Sequence, residues 1–317
     1  MLSIGFYWEK QGLIFKAAEQ HPMIRSHAQI PTVLVMKDKL RIFYSTRSQP
    51  GQSLTTFIDV DTNNPKNILY IHDQPIIPLG EPGTFDEHGV MPSDVHYINN
   101  QVFLYYSGWS KRCSVPYNNL TGLAISDDDG LSFTKIGRGP ILSNNIEEPF
   151  SATSPCVIHD GKQFRMFYCS GTDWHKIGDK FEHVYDIKQA TSDDGIHWQQ
   201  DGKPVIPQSD RFEALTRPSV FRKNNLYHMF YCFRGSKDFR NGLDSYKIGY
   251  AYSHDLESWI REDKNAGIEL SAGDDWDSKM LSYPYIVQTE NDLFMFYNGN
   301  GFGQSGLGYA ILRTNQS

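Results

Sequence analysis

Five segments of the sequence share one pattern: a proline, an alternating apolar run, a short polar turn, and a second run closing on an aromatic pair and a small or polar residue. They read IPTVLVMKDKLRIFYS, MPSDVHYINNQVFLYYS, SPCVIHDGKQFRMFYCS, RPSVFRKNNLYHMFYCF and YPYIVQTENDLFMFYNG. The prolines, Pro31, Pro92, Pro155, Pro218 and Pro284, are spaced by 61, 63, 63 and 66 residues, and each precedes its tyrosine (Tyr44, Tyr106, Tyr168, Tyr231, Tyr297) by 13 or 14. Regularity at this period marks a repeat architecture, in which each unit buries its apolar face only against its neighbours. The period-two alternation and the turns Lys-Asp-Lys, Asn-Asn, Asp-Gly, Asn-Asn and Glu-Asn-Asp are strand-turn-strand chemistry. A second hairpin follows in the middle repeats, as LAISDDDGLSF, QATSDDGIHW and GYAYSHDLESW. Four strands per repeat and five repeats predict an all-β fold, a five-bladed β-propeller forming a single domain over residues 1–317. A continuous sandwich offers no reason for such a period.

The ends of the chain carry a further signal. Outer strands close on an aromatic with a glycine four residues later, as in Phe133 to Gly137 and Trp198 to Gly202, and Trp8 to Gly12 has that spacing with no complete repeat before it. The last repeat, conversely, stops after its third strand at GLGYAIL. Residues 6–15 are therefore expected to complete the fifth repeat, closing the ring and removing its free edges.

Composition narrows the partners. A net charge of -7 without a long Lys/Arg run argues against nucleic acid or an anionic membrane surface and leaves neutral, hydroxyl-rich ligands open. The first residues lack a basic segment followed by an apolar one, and no stretch approaches the roughly 20 apolar residues of a membrane span, so a soluble, cytoplasmic protein is expected. Cys113, Cys156, Cys169 and Cys232 show no C-x-x-C spacing and read as free thiols, three of them in apolar strands; no metal site or cofactor is called for.

In a propeller the residues before each inner-strand proline and after each second-strand tyrosine meet around one rim. Before the prolines stand Arg25 and His27; Asp86, Glu87 and His88; Glu147 and Glu148; Glu213 and Arg217; Asp277, Lys279 and Tyr283. After the tyrosines stand Arg47, Trp109, Asp173, Trp174, Arg234, Asn298 and Asn300. Carboxylates, polar side chains and flat aromatic faces at one opening are the composition of a carbohydrate site. A bland reading stands beside it: Phe85-Asp86, Phe212-Glu213 and Trp276-Asp277 repeat, so these acids also suit a role holding the start of each repeat by hydrogen bonds. Glu87 and His88 are peculiar to the second repeat, and Asp127 to Asp129 and Asp193 to Asp194 belong to turns.

At this point the sequence resembles the superfamily of five-bladed arabinanases, β-xylosidases, invertases and levansucrases, and the mannoside phosphorylases of the same fold. The segment MPSDVHYINNQVFLYYS is similar to the second-blade signature of glycoside hydrolase family 43, and the rhythm of GRGPIL and GKPVIP extends the resemblance over nearly the whole chain. The family carries a base Asp before the first-blade proline, an acid-tuning Asp in the second blade and an acid Glu at the third. Here Ile30 takes the first place, Asp94 falls one residue late, and Glu148 stands seven residues ahead of Pro155, so only Asp94 matches. The resemblance allows a metal in the channel, although no ligand cluster in the sequence demands one.

The expected function is cleavage of a glycosidic bond by two rim carboxylates drawn from Asp86, Glu87, Glu213 and Asp277, with substrate bound by Arg25, His27, Arg47, His88, Asp94, Trp109, Arg217, Arg234, Lys279, Tyr283 and Asn298. The many basic residues suit a phosphate, as in a phosphorylase, or an acidic sugar. A sugar-binding or polysaccharide-assembly propeller without chemistry, and a scaffold using its rim for protein, stay open as alternatives. The oligomeric state is not legible.

Overall fold

The computed structural model describes residues 5–48, 51–240 and 242–313; Met1 to Ile4, part of the stretch read as lacking a leader, lie outside them. The chain is all-β: the described residues contain only a single 3-10 turn at Asp263–Asn265 and a four-residue helix at Asn300–Gly303. Each repeat forms an antiparallel meander. The first comprises Ile24–Val35, Lys39–Arg47, Leu54–Asp61 and Ile68–Ile71, with Ala18–His21 added beside its inner strand. The second (Gly89–Ile98, Gln101–Lys111, Tyr117–Ser126, Thr134–Lys135) and third (Ala152–His159, Phe164–Ile177, Lys180–Ser192, Gln199–Ile206) are linked by a single parallel pairing, Ala152 with Leu120. The fourth comprises Ala214–Lys223, Leu226–Arg234, Lys247–Ser253 and Trp259–Arg261. The fifth comprises Ser282–Gln288, Leu293–Asn298 and Leu307–Leu312, and Trp8–Phe15 pairs antiparallel with the last of these, Trp8 opposite Leu312. Local chemistry explains the turns: both residues of Asn99-Asn100 and Asn224-Asn225 take left-handed φ, between 51° and 65°, as the two-residue hairpin requires.

The inner strands pack on one another in cyclic order, the fifth against the first. Apolar clusters fill the gaps between successive repeats: Phe43 and Phe57 meet Val95 and Leu104; Tyr105 and Leu123 meet Met166 and Tyr168; Phe167 and Ile187 meet Met229 and Leu215. Phe230 and Tyr250 meet Met295 and Ala310, and Phe294 and Phe296 meet Ile42 and Ile58. Burying each such side chain contributes roughly 1.5–3 kcal/mol, so these interfaces hold the sheets in place.

Two polar devices finish the frame, and both absorb residues expected at the rim. Along the axis, Arg217 is 1% exposed; its guanidinium donates to the Ser93 and Pro31 carbonyls and the Thr32 hydroxyl and lies 5.1 Å from the Tyr285 ring centre. Tyr285 donates to Asp94 (2.7 Å), which also accepts from the Val157 amide. All five inner strands are tied here, so Arg217 and Asp94, expected to bind substrate, lie inside the frame. Burial alone would raise the Asp94 carboxyl, but His96, the Val157 amide and the Tyr285 hydroxyl outweigh it and hold the group below its ordinary value.

The second device is a pin at the outer side of each later repeat. The Tyr106 hydroxyl donates to Asp86 (2.9 Å), which pairs with Lys135 (2.6 Å); Tyr297 donates to Asp277 (2.9 Å), which pairs with Lys10 (2.8 Å). In the third repeat Tyr168 donates to Glu148 (2.9 Å), with Gln200 and Lys188 beside it. In the fourth, Tyr231 donates to Asp263 (2.6 Å), and Arg261 bridges Asp263 to Glu213 (2.8 Å each). Burial pushes Glu213 up, yet the Arg261 hydrogen bonds and the Ser209 amide outweigh it and hold the carboxyl low. Asp86, Glu213 and Asp277, expected as catalytic acids, are thus buried at 2%, 6% and 0% exposure, Asp86 and Asp277 each meeting the pin through Oδ2 and Glu213 meeting Arg261 with both carboxylate oxygens. The reason is the repeat itself: a carboxylate in the loop entering the inner strand, joined to an outer-strand cation and to the repeat's tyrosine, directly or through Arg261 and Asp263, ties that entry to two strands at once.

Candidate functional site

The prolines sit at bulges. Ile30, Ser154, Arg217 and Tyr283, each just before a proline, take φ of 59°, 52°, 57° and 56°, and the pairing register shifts beside each. A bulge leaves one extra residue outside the ladder, and here it turns Arg217 onto the neighbouring inner strands and Tyr283 toward Gln29. At the same end of the molecule a cleft of about 300 Å³ opens between the first and second repeats, lined by Gln29, Arg47, Met91, Trp109, Tyr117 and Asn119. Gly89 makes room for its aromatic wall, since a Cβ there would stand 1.7 Å from the Trp109 Nε1.

From this cleft a run of aromatic side chains continues around the mouth. The long hairpin of the third repeat brings Trp174 onto His183, rings stacked at 4.1 Å, and the Tyr117 ring lies 5.2 Å from Trp174. The Tyr185 and Tyr246 hydroxyls are 2.9 Å apart, Tyr246 lies 5.8 Å from Tyr283, and Gln29 donates to the Tyr283 hydroxyl (3.2 Å), returning to the cleft. Arg234 supports this run from beneath: 3% exposed, it donates to the His183 carbonyl (2.8 Å) and the Tyr246 hydroxyl (3.3 Å) and stacks 3.7 Å from the Phe239 ring centre. Burial first, and Arg234 second, push the His183 imidazole down to about 3, so it is neutral near pH 7. Burial and Arg47 likewise lower His27 to about 4.

The other expected residues are distributed as follows. Arg47 and Trp109 line the cleft, and Tyr283 is tied to it through Gln29. His88 leans on Trp109 (5.7 Å between rings) and contacts Glu87 (3.4 Å), whose carboxylate also accepts from the Gly83 amide. Arg25 is exposed, 3.5 Å from the Ser48 carbonyl, and the His27 ring contacts the Ser26 hydroxyl. Lys279 lies in a separate cleft with Asn300. Asn298, expected to touch substrate, is instead a fully buried latch between the fifth and first repeats, accepting from the Ile30 amide (2.7 Å) and donating to the Ala28 and Gly306 carbonyls. Arg234, also expected to touch substrate, supports the wall from behind. Gln29, Met91, Tyr117, Asn119, His183, Tyr185 and Tyr246 were not singled out. A signal for several of them existed: third strands start on the same face, so Tyr117, His183, Tyr185 and Tyr246 belong to the rim as much as residues following the tyrosines. Among the described residues no group of three or more His, Cys, Asp or Glu side chains is placed to hold a metal ion.

No family model matches the chain. Uncharacterized protein Rv1502 of Mycobacterium tuberculosis is 35% identical over 309 residues, covering 97% of this chain and 99% of the relative. The chain belongs to the family of this mycobacterial protein. The beta-1,2-mannobiose phosphorylase of a Thermoanaerobacter species is 30% identical over 136 residues, 40% of this chain and 44% of the phosphorylase. Among solved structures, the catalytic domain of a Coprinopsis cinerea GH62 alpha-L-arabinofuranosidase superposes with a TM-score of 0.70 at 13% identity over 98% of both chains. A structure described with GH130 mannoside phosphorylases and hydrolases acting on beta-1,2 mannosidic linkages gives 0.69 at 14%, covering 97% of this chain and 94% of the other. The shared feature is the all-β propeller fold of glycosidases.

Proposed function

We propose that the chain is one five-bladed propeller domain, its fifth blade completed by Trp8–Phe15, that binds a saccharide at the mouth and cleaves a glycosidic bond by hydrolysis or phosphorolysis. The observation that carries this reading is the cleft at the end of the axis: Trp109 and Tyr117 offer flat faces to the apolar side of a sugar ring, while Gln29, Asn119 and Arg47 face its hydroxyls. The glycosidase fold of the solved structures and the partial likeness to a mannobiose phosphorylase support it. Glu87 is the expected acid whose carboxylate stands outside the pins, its side chain 25% exposed beside His88 and Trp109; we assign it general acid/base work on the glycosidic oxygen. A second reading, sugar binding without turnover, draws on the burial of Asp86, Glu213 and Asp277 in pins.

Aryl glycosides and β-1,2-linked mannobiose, offered with and without phosphate, test both. Turnover that drops about a hundredfold in Glu87→Gln with an unchanged melting temperature supports catalysis. Saturable sugar binding with no turnover establishes the second reading. Absence of any binding, or full turnover in Glu87→Gln, removes the assignment.

A further inference from the structure

The fold leaves one basic residue of the Trp109 cleft without a counter-charge. Acidic residues outnumber Lys and Arg by 37 to 30 in the chain, and Arg41, Arg165, Arg240 and Arg261 each meet a carboxylate. Arg47, at the end of the strand Lys39–Arg47, does not: no hydrogen bond, ion pair or ring contact among the described residues involves its side chain. It lines the same cleft as Trp109, and no Asp or Glu is among the residues lining that cleft. Burial lowers the pKa of its guanidinium, and the group acting against that shift is the Tyr283 hydroxyl, which burial itself raises and so keeps protonated. The neighbouring His27 is held neutral near pH 7 and supplies no counter-charge either.

Two further features of the same cleft point to a ligand. Asn119 lies directly across the ladder from Trp109, and its side-chain oxygen Oδ1 is buried with no partner among the described residues. A buried acceptor without a donor is unfavourable, and a ligand hydroxyl in the cleft would satisfy it. At the lip the Lys111 ammonium lies against Gly51, since a Cβ there would stand 2.6 Å from Nζ. Lys111 makes no ion pair among the described residues, so its charge adds to that of Arg47 at one opening. Within about 300 Å³ the cleft thus offers a flat aromatic face, an acceptor for a hydroxyl and a net positive charge.

We propose that the ring held against Trp109 is a uronic acid whose carboxylate binds Arg47. The inference rests on the carbohydrate reading and deepens it: the substrate class becomes an acidic saccharide. Hydroxyls alone leave the guanidinium uncompensated, whereas a carboxylate brings one negative charge in a plane that matches its N–H fork. Trp109, Arg47 and Asn119 line one cleft, so the ring, the carboxylate and a hydroxyl of a single sugar meet all three.

The test is calorimetric. Glucuronate, galacturonate and mannuronate are compared with glucose, galactose and mannose, and with inorganic phosphate, on the full chain and on Arg47→Gln, a change at an exposed position whose melting temperature is expected to stay put. At low ionic strength one of the acids is expected to bind about tenfold more tightly than its neutral counterpart. That ratio is expected to fall to about one in Arg47→Gln, with the neutral sugar affected less than about twofold, and to shrink in about 0.5 M sodium chloride. Arg47→Lys, which keeps the charge without the planar fork, is expected to retain only part of it. Equal affinity within every acid and neutral pair, or a ratio that Arg47→Gln leaves unchanged, overturns the inference while leaving the carbohydrate reading intact. Inorganic phosphate bound through Arg47 more tightly than any uronate also overturns it, because the anion is then free and not part of the sugar. If no sugar binds the wild type, the carbohydrate reading falls first and takes the uronate with it.

Discussion

The second and fifth repeats build the same pin from the same parts, and the third does not. In the second and fifth, an aromatic residue precedes the acid (Phe85-Asp86, Trp276-Asp277) and a glycine faces the tyrosine across the ladder (Gly122 to Tyr106, Gly308 to Tyr297). The cation then comes from the outermost strand, Lys135 or Lys10. Gly122 has no alternative, since a Cβ there would lie 2.2 Å from the Tyr106 ring. In the third repeat Glu147 stands where the aromatic would be, Lys188 faces Tyr168 in place of glycine and supplies the cation at 3.5 Å, and the outer strand offers only Gln200. The third repeat is also the one whose hairpin carries Trp174, His183 and Tyr185 to the mouth. The contrast teaches that a repeat is free to depart from its pattern where its hairpin has a second task, provided the acid and tyrosine stay joined.

The comparison is open to attack at several strengths. The largest effect is expected for Asp277→Ala, which takes the carboxylate from Tyr297 and leaves Lys10 only the Ser271 hydroxyl, and is predicted to cost about 3 kcal/mol in urea unfolding. Glu148→Gln, which keeps an acceptor for Tyr168 beside the more distant Lys188, is predicted to cost clearly less; equal losses would erase the distinction between the two designs.

Next in size is an acid effect located in the third repeat. His183 is neutral in the fold, with its value pushed to about 3 from an ordinary 6.5, so as the pH falls the unfolded chain takes up the proton first and stability is lost from about pH 6.5 downward. By pH 5 the loss is about 2 kcal/mol, and His183→Gln is expected to flatten that part of the curve. An unchanged pH slope in the variant would place the burial of this imidazole in doubt. Asp186, in the same sheet, acts in the opposite sense: burial, with the nearby Glu148, raises it to about 6 despite Lys188, so its contribution to stability declines as the pH rises between its ordinary value and about 6. Asp186→Asn therefore steepens the net acid loss in that window.

The smallest effect separates the first repeat from the rest. Among the described residues the Tyr44 hydroxyl is buried with no partner, and the first repeat has Ile24 at the pin position where the second has Asp86, to which Tyr106 donates. Tyr106→Phe is predicted to cost about 1.5 kcal/mol and Tyr44→Phe close to nothing, or to gain slightly. A comparable loss at Tyr44 would mean that its hydroxyl is satisfied after all.

Much of this was legible along the chain. The all-β character, the hairpin turns at the Asn-Asn pairs, the structural role of the Asp128 and Asp194 turns and the pairing of residues near Trp8 with the last strand all follow from local periodicity and turn chemistry, which need no long-range information. The site was legible only as a set of positions. Arg47, Trp109 and Tyr283 do stand at the mouth, but nothing in the spacing distinguishes Arg47 from Arg217 or Glu87 from Asp86. The difference lies in which neighbour each side chain meets, and those neighbours are distant in the chain: Arg217 meets Ser93 and Pro31, and Asn298 meets Ala28.

The order of residues along the polypeptide therefore determined the repeating strand pattern, because alternation and turn propensity act over a few residues at a time. Which charged groups face solvent and which are consumed holding the frame was decided only when the sheets packed, since burial and partner choice are properties of positions brought together from up to 304 residues apart.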